Sequence, residues 1–292
     1  MKIAVIDIGT NSTLLLIAKV EKDKKPQILE DLIQVTRLGE GLSENKSLKK
    51  LAIERTSQAI GTYLEIAKDH SVDITKLIGT AALRVSKNSS EFIDLIKERF
   101  GMDIEVLSEE DEATLTFDAS VRDFGEKIAV IDIGGGSTEI AISNQKPISL
   151  PLGCVKLTEE CLLSDPVTTS EVTKAREAIS KELPDITTDY PLIANAGTAT
   201  TLGSIKLGLI EYDREKIHKM KVTSKEIKDI VDKLTSLSIR ERKSIKGLMP
   251  ERADVILAGL LILEGIMKRM KKSEVTISDL GVRWGIFYRT AN

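Results

Sequence analysis

The spacing of apolar and polar residues predicts strands and helices in two successive halves of the chain. Short β-branched runs predict the strands, and apolar residues three and four apart predict the helices. In the first half, the predicted strands are 2–8, 13–20, 27–36, 77–81 and 104–107, and the predicted helices are 48–68 and 90–100. Hairpins followed by helical crossovers predict a mixed sheet flanked by helices.

The second half repeats this plan. Its predicted strands are 127–133, 139–143, 147–150, 192–196 and 275–278. Its predicted helices are 157–163, 170–182, 224–236 and 252–271, with further helices that start at 198 and 282. At 292 residues the length allows about two domains. We therefore expect an α/β protein with an N-terminal domain over 1–120 and a C-terminal domain over 121–292, whose last helix packs back towards the first.

One phrase occurs twice in the chain. Residues 4–18 read AVIDIGTNSTLLLIA, residues 129–143 read AVIDIGGGSTEIAIS, and nine of the fifteen positions are identical. Each copy predicts a hairpin with a small polar turn, whose backbone N–H groups form a concavity that suits phosphate oxygens. The Asp before each turn suits a cation. We expect two lobes that bind a polyphosphate in a cleft between them.

Composition narrows the possible functions. The chain is 41% hydrophobic and 30% charged, which is typical of a globular protein. Its formal net charge of −3 gives no reason to invoke binding to nucleic acid or to an anionic membrane. Val255–Leu263, the longest apolar run, is too short to span a bilayer and predicts a buried core helix. The N-terminus has no signal-peptide pattern, so we expect a cytoplasmic location.

Histidine and cysteine are scarce. His70 and His218 are predicted to be surface residues, which excludes histidine-based nucleophilic relays and two-histidine zinc sites. Cys154 and Cys161 are predicted to pack in the core, although a redox or metal role is the alternative. An enzyme of this composition must therefore rely on carboxylates and a hard metal ion.

The first turn offers candidate phosphate-binding groups after Asp7, which ends a strand. These groups belong to Gly9, Thr10, Asn11 and Ser12. The second turn follows Asp132 and offers Gly134, Gly135, Gly136, Ser137 and Thr138. Either turn alone could simply join two strands, but a matched pair favours a shared ligand. Glu139 takes the place of Leu14, so an extra carboxylate lies at the second turn, as one metal-assisted centre requires.

Three further segments have both a structural and a functional interpretation. Acidic residues at 109–112 follow Ser108, a pattern typical of a helix N-terminus, although one carboxylate there could orient water. Arg84 follows a predicted strand and is either a surface residue or a phosphate ligand. Gly197 and Thr198 lie where a helix begins, and the N–H groups of a helix N-terminus bind anions.

These segments together closely resemble the exopolyphosphatase/guanosine pentaphosphate phosphohydrolase (Ppx/GppA) family, which has the actin-like (ribonuclease H-like) fold. The matching segments are 4–13, TRLGEGL at 36–42, GTAALR at 79–84, DEA at 111–113, IDIGGGSTE at 131–139, LGCVKLTE at 152–159, NAGTATTL at 195–202, RAD at 252–254 and GVRWG at 281–285. Their order makes the resemblance specific over nearly the whole chain.

The resemblance implies a role for each candidate residue. Glu112 matches the glutamate that activates the attacking water, and Glu139 is the second candidate catalytic residue. Asp132 and Glu139 match acidic residues implicated in Mg²⁺ binding, and Asp7 is a further candidate ligand of Mg²⁺ or another divalent cation. The remaining matches line the phosphate cleft: the two turns, Arg84, Gly197 and Thr198.

The implied activity is hydrolysis of the terminal phosphoanhydride of inorganic polyphosphate, with release of orthophosphate. The nearest alternative substrate is guanosine pentaphosphate (pppGpp), and the more distant alternatives are an ATP-dependent phosphotransferase and a non-catalytic sensor. Asp111 and Trp284 stand where the family often has Glu, and Trp284 is expected to alter the edge of the cleft. The chain resembles the short members without C-terminal helical domains, and a homodimer is expected from the family.

Overall fold

Two units, each with its own mixed sheet, form the structure, a computed structural model that describes residues 1–22 and 24–291. Asp23 and Asn292 lie outside the described residues. Unit 1 combines Met1–Ala119 with the segment that begins at Val282, and unit 2 is Ser120–Gly281. The boundary at Ala119 falls within a helix, so no separate linker precedes unit 2 in the sequence.

The sheet of unit 1 has the strand order β3-β2-β1-β4-β5. Its first three strands form an antiparallel meander, and β4 and β5 then extend the sheet parallel to β1. The strands are β1 (Lys2–Ile8), β2 (Thr13–Lys19), β3 (Gln27–Gln34), β4 (Ile74–Gly79) and β5 (Ile104–Val106). The helices are α1 (Leu42–Asn45), α2 (Lys50–Asp69), α3 (Ala81–Val85), α4 (Ser89–Phe100) and α5 (Glu109–Phe124).

Helix α2 covers this sheet because its buried residues recur at helical spacing. Ala52, Thr56, Ile60, Tyr63 and Ala67 are buried along one side of the helix, which packs on β1 and β2. The last helix of the chain, α13 (Val282–Ala291), also packs on β1 and β2. The core of unit 1 therefore contains residues from both ends of the sequence.

The sheet of unit 2 has the strand order β10-β11-β9-β6-β7-β8. Strands β6, β7 and β8 form an antiparallel meander, β9 is parallel to β6, β11 is parallel to β9, and β10 adds an antiparallel edge. The strands are β6 (Ala129–Ile133), β7 (Thr138–Ile142), β8 (Ile148–Leu150), β9 (Leu192–Asn195), β10 (Lys221–Thr223) and β11 (Glu274–Ile277). The helices are α6 (Cys154–Cys161), α7 (Thr169–Glu182), α8 (Ala196–Leu207), α9 (Arg214–Ile217), α10 (Ser224–Thr235), α11 (Ile239–Arg242) and α12 (Ile256–Arg269).

Helix α12 is the central core helix of unit 2, as its long apolar run predicts. Residues from Ile256 to Leu263 are all buried, and the helix packs on α6, α7, α8 and α10. Helices on several sides explain why its apolar residues do not form a single stripe.

Several element boundaries differ from the sequence-based prediction. The strand predicted at 77–81 is shifted to Ile74–Gly79, and the short helix α3 follows it. The helix predicted at 157–163 begins at Cys154, because carbonyl groups of a distant turn accept hydrogen bonds from its first N–H groups. The helix predicted at 252–271 is shorter, since a 3₁₀ turn occupies Pro250–Arg252.

Candidate active site

The two copies of the repeated phrase form equivalent hairpins. In β1–β2, Ile8 pairs with Thr13, and the Gly9 N–H donates to the Ser12 carbonyl at 3.0 Å. In β6–β7, Ile133 pairs with Thr138, and the Gly134 N–H donates to the Ser137 carbonyl at 3.0 Å. The sequence repeat is therefore a structural repeat with the same turn in each unit.

The turn of unit 2 is held by the N-terminus of α6. The N–H groups of Cys154 and Val155 donate to the carbonyls of Gly134 and Gly135, both at 2.9 Å. Because a trans peptide directs its C=O and the following N–H to opposite sides, the N–H groups of Gly135 and Gly136 point away from α6. Adjacent N–H groups that point the same way form a cradle for an anion.

The turn of unit 1 is held in a comparable way by a different segment. The Arg37 N–H donates to the Asn11 carbonyl at 2.8 Å, and the Gly39 N–H donates to the Thr10 carbonyl at 2.9 Å. The N–H groups of Asn11 and Ser12 consequently point away from that segment. Both turns therefore present backbone donors of the type that bind phosphate oxygens.

Arg84 and Glu112 form a buried ion pair in unit 1. The Thr80 N–H donates to the Ile8 carbonyl at 3.3 Å, which places α3 and Arg84 at the same edge of the sheet as the first turn. The Arg84 Nη1 lies 2.6 Å from Glu112 Oε2 and 3.0 Å from the Leu107 carbonyl. The Arg84 Nε and Nη2 are buried without hydrogen-bond partners in the structure. Buried guanidinium donors of this kind are suited to an incoming anion.

Burial also tunes the Glu112 carboxyl. Desolvation raises its pKa above the ordinary value, Arg84 lowers it by charge and by hydrogen bonding, and Glu109 raises it slightly. The net result is a raised pKa, which makes the carboxylate a stronger base. Glu112 is thus suited to accept a proton from a bound water molecule.

Asp132 and Glu139 are paired across the hairpin of unit 2. They are direct cross-strand partners, so their side chains share one face of the sheet, and they are only 8% and 2% exposed. The Ser149 hydroxyl donates to Glu139 Oε1 at 2.9 Å and orients it. In unit 1 the partner of Asp7 is Leu14, so the second carboxylate belongs to one hairpin only, as the sequence indicates.

The Asp132–Glu139 pair fits a magnesium ion. Among residues 1–22 and 24–291, no group of three or more His, Cys, Asp or Glu side chains is arranged to hold a metal ion. Mg²⁺ is commonly held by one or two carboxylates, with water and substrate phosphates as its other ligands. The donor set of unit 2 satisfies that need.

The start of α8 forms a second polar cluster in unit 2. Ala196 has φ 65°, an uncommon conformation for a residue with a side chain, and the helix N-terminus follows directly after β9. A Cβ at Gly197 would lie 1.8 Å from Arg252 Nη1, so glycine is required for the guanidinium to lie there. Thr198 is buried against Gly259.

One predicted phosphate contact does not fit this geometry. Thr138 is fully buried, and its hydroxyl donates to the Leu152 carbonyl at 2.6 Å. Its side chain therefore fastens the hairpin to the segment before α6 instead of facing a ligand.

A family model gives the decisive comparison, because the Ppx/GppA phosphatase family matches residues 16–292. The chain belongs to the Ppx/GppA phosphatase family. Its two mixed sheets with flanking helices confirm the predicted α/β class and the actin-like fold.

Relatives of known name or structure support this membership. A bifunctional 3-dehydroquinate synthase/phosphatase of Fusobacterium nucleatum is 38% identical over 94% of this chain, which spans only 44% of that longer protein. Exopolyphosphatase 2 of Mycobacterium tuberculosis is 31% identical, and the match covers 98% of this chain and 97% of the relative. The crystal structure of the Aquifex aeolicus Ppx/GppA family member is 31% identical, with a TM-score of 0.83 over 100% of this chain and 97% of that one.

The thiols of this Ppx/GppA member are buried, and its imidazoles bind neighbouring residues. Cys154 and Cys161 are free and buried, as predicted, and burial raises the pKa of Cys154 to about 11, so it is a neutral thiol at pH 7. His70 lies 2.9 Å from Glu30. His218 is half-buried rather than a simple surface residue, because Asp123 and the Asp279 N–H bind its two ring nitrogens. No helix among the described residues has the length and apolarity needed to cross a bilayer.

Sequence reasoning missed three residues that shape the clusters of this family member. Arg252 lies against Gly197, and its Nη1 is 3.3 Å from the Thr201 hydroxyl. Gly153 allows α6 to approach the turn, since a Cβ there would lie 2.2 Å from the Gly135 carbonyl oxygen. Asn195 is buried with its Oδ1 unpartnered. All three occur in motifs that carry the family resemblance. Their place in those motifs is the sequence signal that could have identified them.

Proposed function

We propose that this member of the Ppx/GppA phosphatase family is an exopolyphosphatase, which hydrolyses the terminal phosphoanhydride of inorganic polyphosphate. The observation that carries the proposal is the pair of equivalent turns with outward N–H groups, together with one buried carboxylate of raised pKa. Relatives named exopolyphosphatase, including the M. tuberculosis protein that matches nearly end to end, support this substrate class.

The turns and Arg84 bind the phosphate chain in this proposal. The N–H groups of Asn11, Ser12, Gly135 and Gly136 donate to non-bridging oxygens. The further phosphate-binding positions are Gly9, Thr10, Gly134, Ser137, Gly197 and Thr198. The open donors of Arg84 bind the oxygens of the terminal phosphate. Fixed donors of this kind supply most of the acceleration in phosphoryl transfer.

Glu112 is the proposed general base. Its carboxylate orients a water molecule in line with the terminal phosphorus and accepts a proton from it as the new P–O bond forms. The leaving group is an ionised phosphate chain, so its departure needs no general acid. Asp132 and Glu139 would hold Mg²⁺, which offsets the negative charge of the phosphates when bound. Asp7 is a further candidate ligand of a divalent cation in this proposal.

The deciding experiment measures phosphate release from polyphosphates of graded length, with and without Mg²⁺ and with no added acceptor. Glu112→Gln removes the base while it keeps the shape of the side chain, so kcat is expected to fall about 10²–10⁴-fold with the fold intact. Asp132→Asn is expected to raise the Mg²⁺ concentration needed for half-maximal rate.

Glu110→Gln is the matched control, because Glu110 is an exposed carboxylate in the same helical turn. It is expected to leave kcat within about twofold of the wild type. Wild-type turnover by Glu112→Gln would remove Glu112 from the mechanism, and release of phosphate only when an acceptor is present would identify a phosphotransferase.

The same phosphate-release assay distinguishes polyphosphate from guanosine pentaphosphate, the nearest alternative substrate. Guanosine pentaphosphate has a terminal phosphoanhydride like that of polyphosphate, so the same hydrolysis reaction applies to both substrates. A kcat/KM that is higher for polyphosphate supports the proposal, whereas a higher value for pppGpp would reassign the chain to pppGpp hydrolysis. Binding of both ligands without turnover would indicate a sensor.

A cytoplasmic homodimer is the proposed setting for this activity. Light scattering on the purified protein tests the dimer, and fractionation of cells that express the tagged chain tests the location.

A further inference from the structure

A groove in unit 2 collects lysine side chains outside the clusters described above. It has a volume of about 490 Å³ and lies between α10, the end of α12 and the start of β11. Its floor is formed by the buried side chains of Ile227 and Met267. Its walls carry Lys225, Lys228, Lys268, Lys271 and Lys272. We call this the lysine groove.

The positive charge of the lysine groove is largely uncompensated. Among the residues that the structure describes, Lys225, Lys268, Lys271 and Lys272 form no ion pair, whereas Lys228 lies 2.5 Å from Asp232. Glu264 is the one acidic residue that lines the groove, and Arg176 binds it at 2.9 Å. The groove therefore presents a net positive surface.

Neighbouring acidic residues are also paired with bases outside the groove. Glu226 lies 2.8 Å from Lys206, and Glu274 lies 2.7 Å from Lys221. These pairs prevent the two carboxylates from neutralising the groove lysines. Among the described residues, this leaves Lys225, Lys268, Lys271 and Lys272 without a directly paired carboxylate.

Helix capping explains only part of this cluster. Lys268, Lys271 and Lys272 lie at the C-terminal end of α12, where the helix dipole favours cations. Lys225 lies in the first turn of α10, where the dipole disfavours a cation. Lys271 has φ 54° directly after the C-cap Met270, a position at which glycine is usually preferred. Two lysines thus occupy positions that local helix energetics do not favour.

The chemistry of the groove suits a flexible phosphate chain. Ammonium groups bind phosphates as point charges and impose little geometry. None of the lining residues is aromatic, so the groove has no platform on which a nucleobase could stack. None is arginine, the usual residue for bidentate phosphate recognition. These features favour inorganic polyphosphate over a nucleotide or a single-stranded nucleic acid.

The lysine groove lies far from the polar clusters of the same unit. Asp132 and Asn195 are at the ends of the parallel strands β6 and β9, whereas Ser273 precedes the start of β11, which is parallel to them. Gly259 in the first turn of helix α12 lies against Thr198, and Lys268 of the groove lies about 14 Å further along the helix. A short phosphate chain at the clusters would not reach the groove, whereas a long chain would.

We propose that the lysine groove is a second binding site for inorganic polyphosphate, which holds a distal part of long chains while their terminus is hydrolysed. The inference rests on the proposed exopolyphosphatase function. The lysine groove would give this protein a preference for long polyphosphate chains, which no residue of the polar clusters explains.

The kinetic test uses a triple variant of groove lysines that form no ion pair among the described residues. Lys225→Gln, Lys268→Gln and Lys271→Gln together are expected to raise KM for long-chain polyphosphate about tenfold, because each lost ammonium contact weakens binding modestly. They are expected to leave kcat unchanged, and to leave kcat/KM unchanged for the shortest chain that the enzyme turns over. An unchanged KM for long chains would overturn the proposal.

A matched variant controls for the loss of overall positive charge. It removes three exposed lysines from other surfaces of unit 2 and should change KM for long chains less than twofold. Its substitutions are Lys181→Gln, Lys243→Gln and Lys246→Gln. An equal rise of KM in both triple variants would show a general charge effect and refute a specific groove.

A binding measurement separates failure of the groove from failure of the proposed function. Equilibrium binding of fluorescently labelled long-chain polyphosphate needs no turnover, and the slope of log affinity against log salt should decrease by about one for each groove lysine removed. If the wild type releases no phosphate from any chain, the exopolyphosphatase proposal fails while this slope still tests the groove. If turnover is normal and the slope is unchanged, only the groove is refuted. Preferential loss of binding to a single-stranded oligonucleotide would reassign the groove to nucleic acid.

Discussion

Glu112 lies in a different environment from the three carboxylates that precede it in the chain. Glu109, Glu110 and Asp111 are exposed, and the Asp111 N–H donates to the Ser108 hydroxyl at 3.0 Å, which is a helix-capping contact. Glu112 is buried and bound to Arg84 instead. The capping interpretation therefore fits Ser108 and Asp111, whereas the role of Glu112 as a base stays a proposal.

The pH dependence of activity follows from the environment of Glu112. Its raised pKa predicts that kcat/KM falls on acidification at a higher pH than an ordinary glutamate would give, because protonation removes the base. Arg84 lowers this pKa, so Arg84→Gln is expected to move the acidic limb to still higher pH and to weaken phosphate binding. A pH profile of kcat/KM measures both effects.

Arg99→Gln is the control for that profile, since it removes an exposed guanidinium of the same unit that pairs with Glu54. Its pH profile should match that of the wild type. An acidic limb that moves to lower pH in Arg84→Gln would contradict the assignment of Glu112 as the base.

The polar turn of unit 2 depends on the close approach of a helix. The first N–H groups of α6 bind the carbonyls of Gly134 and Gly135, and Gly153 provides the space for that approach. A hairpin and a helix separated along the chain thus form one rigid element. The sequence shows both parts, but their contact is a tertiary one.

Gly153→Ala tests this element. The added Cβ would meet backbone atoms 2.2–2.4 Å away, so the turn or α6 must move. A shift of about 1 Å in a substrate-positioning group can lower the rate about 10²-fold, and we expect a decrease of that order in kcat/KM together with a lower melting temperature. Phosphate-release kinetics and thermal unfolding measure the two effects.

Cys154→Ala is the matched control at the next residue, because it removes the thiol and keeps the backbone contact. The thiol is neutral, so activity is expected to remain within about twofold of the wild type. Full activity in Gly153→Ala, or a large loss in Cys154→Ala, would refute the backbone explanation.

The whole molecule is organised so that its C-terminal helix completes the N-terminal unit. Trp284, Ile286 and Phe287 of α13 are buried in unit 1, and Arg283 binds Asp31 at 2.5 Å. Trp284 contacts the rings of Phe287 and Tyr288. Trp284 is thus a packing residue, and the expectation that it modifies the edge of a cleft is not needed to explain its position.

Trp284→Ala is expected to destabilise unit 1 in particular. Truncation of a buried aromatic residue costs about 3–5 kcal/mol, because it leaves a cavity. Amide hydrogen exchange should show loss of protection in β1, more than 270 positions earlier in the sequence, while β9 of unit 2 stays protected.

Leu51→Ala is the control, because Leu51 is 79% exposed in the same unit. It should change the free energy of unfolding by less than about 0.5 kcal/mol. Equal loss of protection in β1 and β9 of Trp284→Ala would contradict a specific role of α13 in unit 1.

The sequence by itself determined the features that are local or periodic. Short β-branched runs defined the strands, the repeated phrase defined two equivalent turns, and the apolar run 255–263 defined the core helix. Each depends on residues close together in the chain, where spacing reports directly on which face is buried.

Only the tertiary structure showed which contacts the candidate site residues make. Arg84 and Glu112 are 28 residues apart and become partners because α3 and α5 meet at one edge of the sheet. The hydroxyl of Thr138 is used by Leu152, and Arg252 lies against Gly197 more than fifty residues away. Burial and hydrogen bonding between distant segments fix these roles, and neither leaves a periodic signal in the sequence.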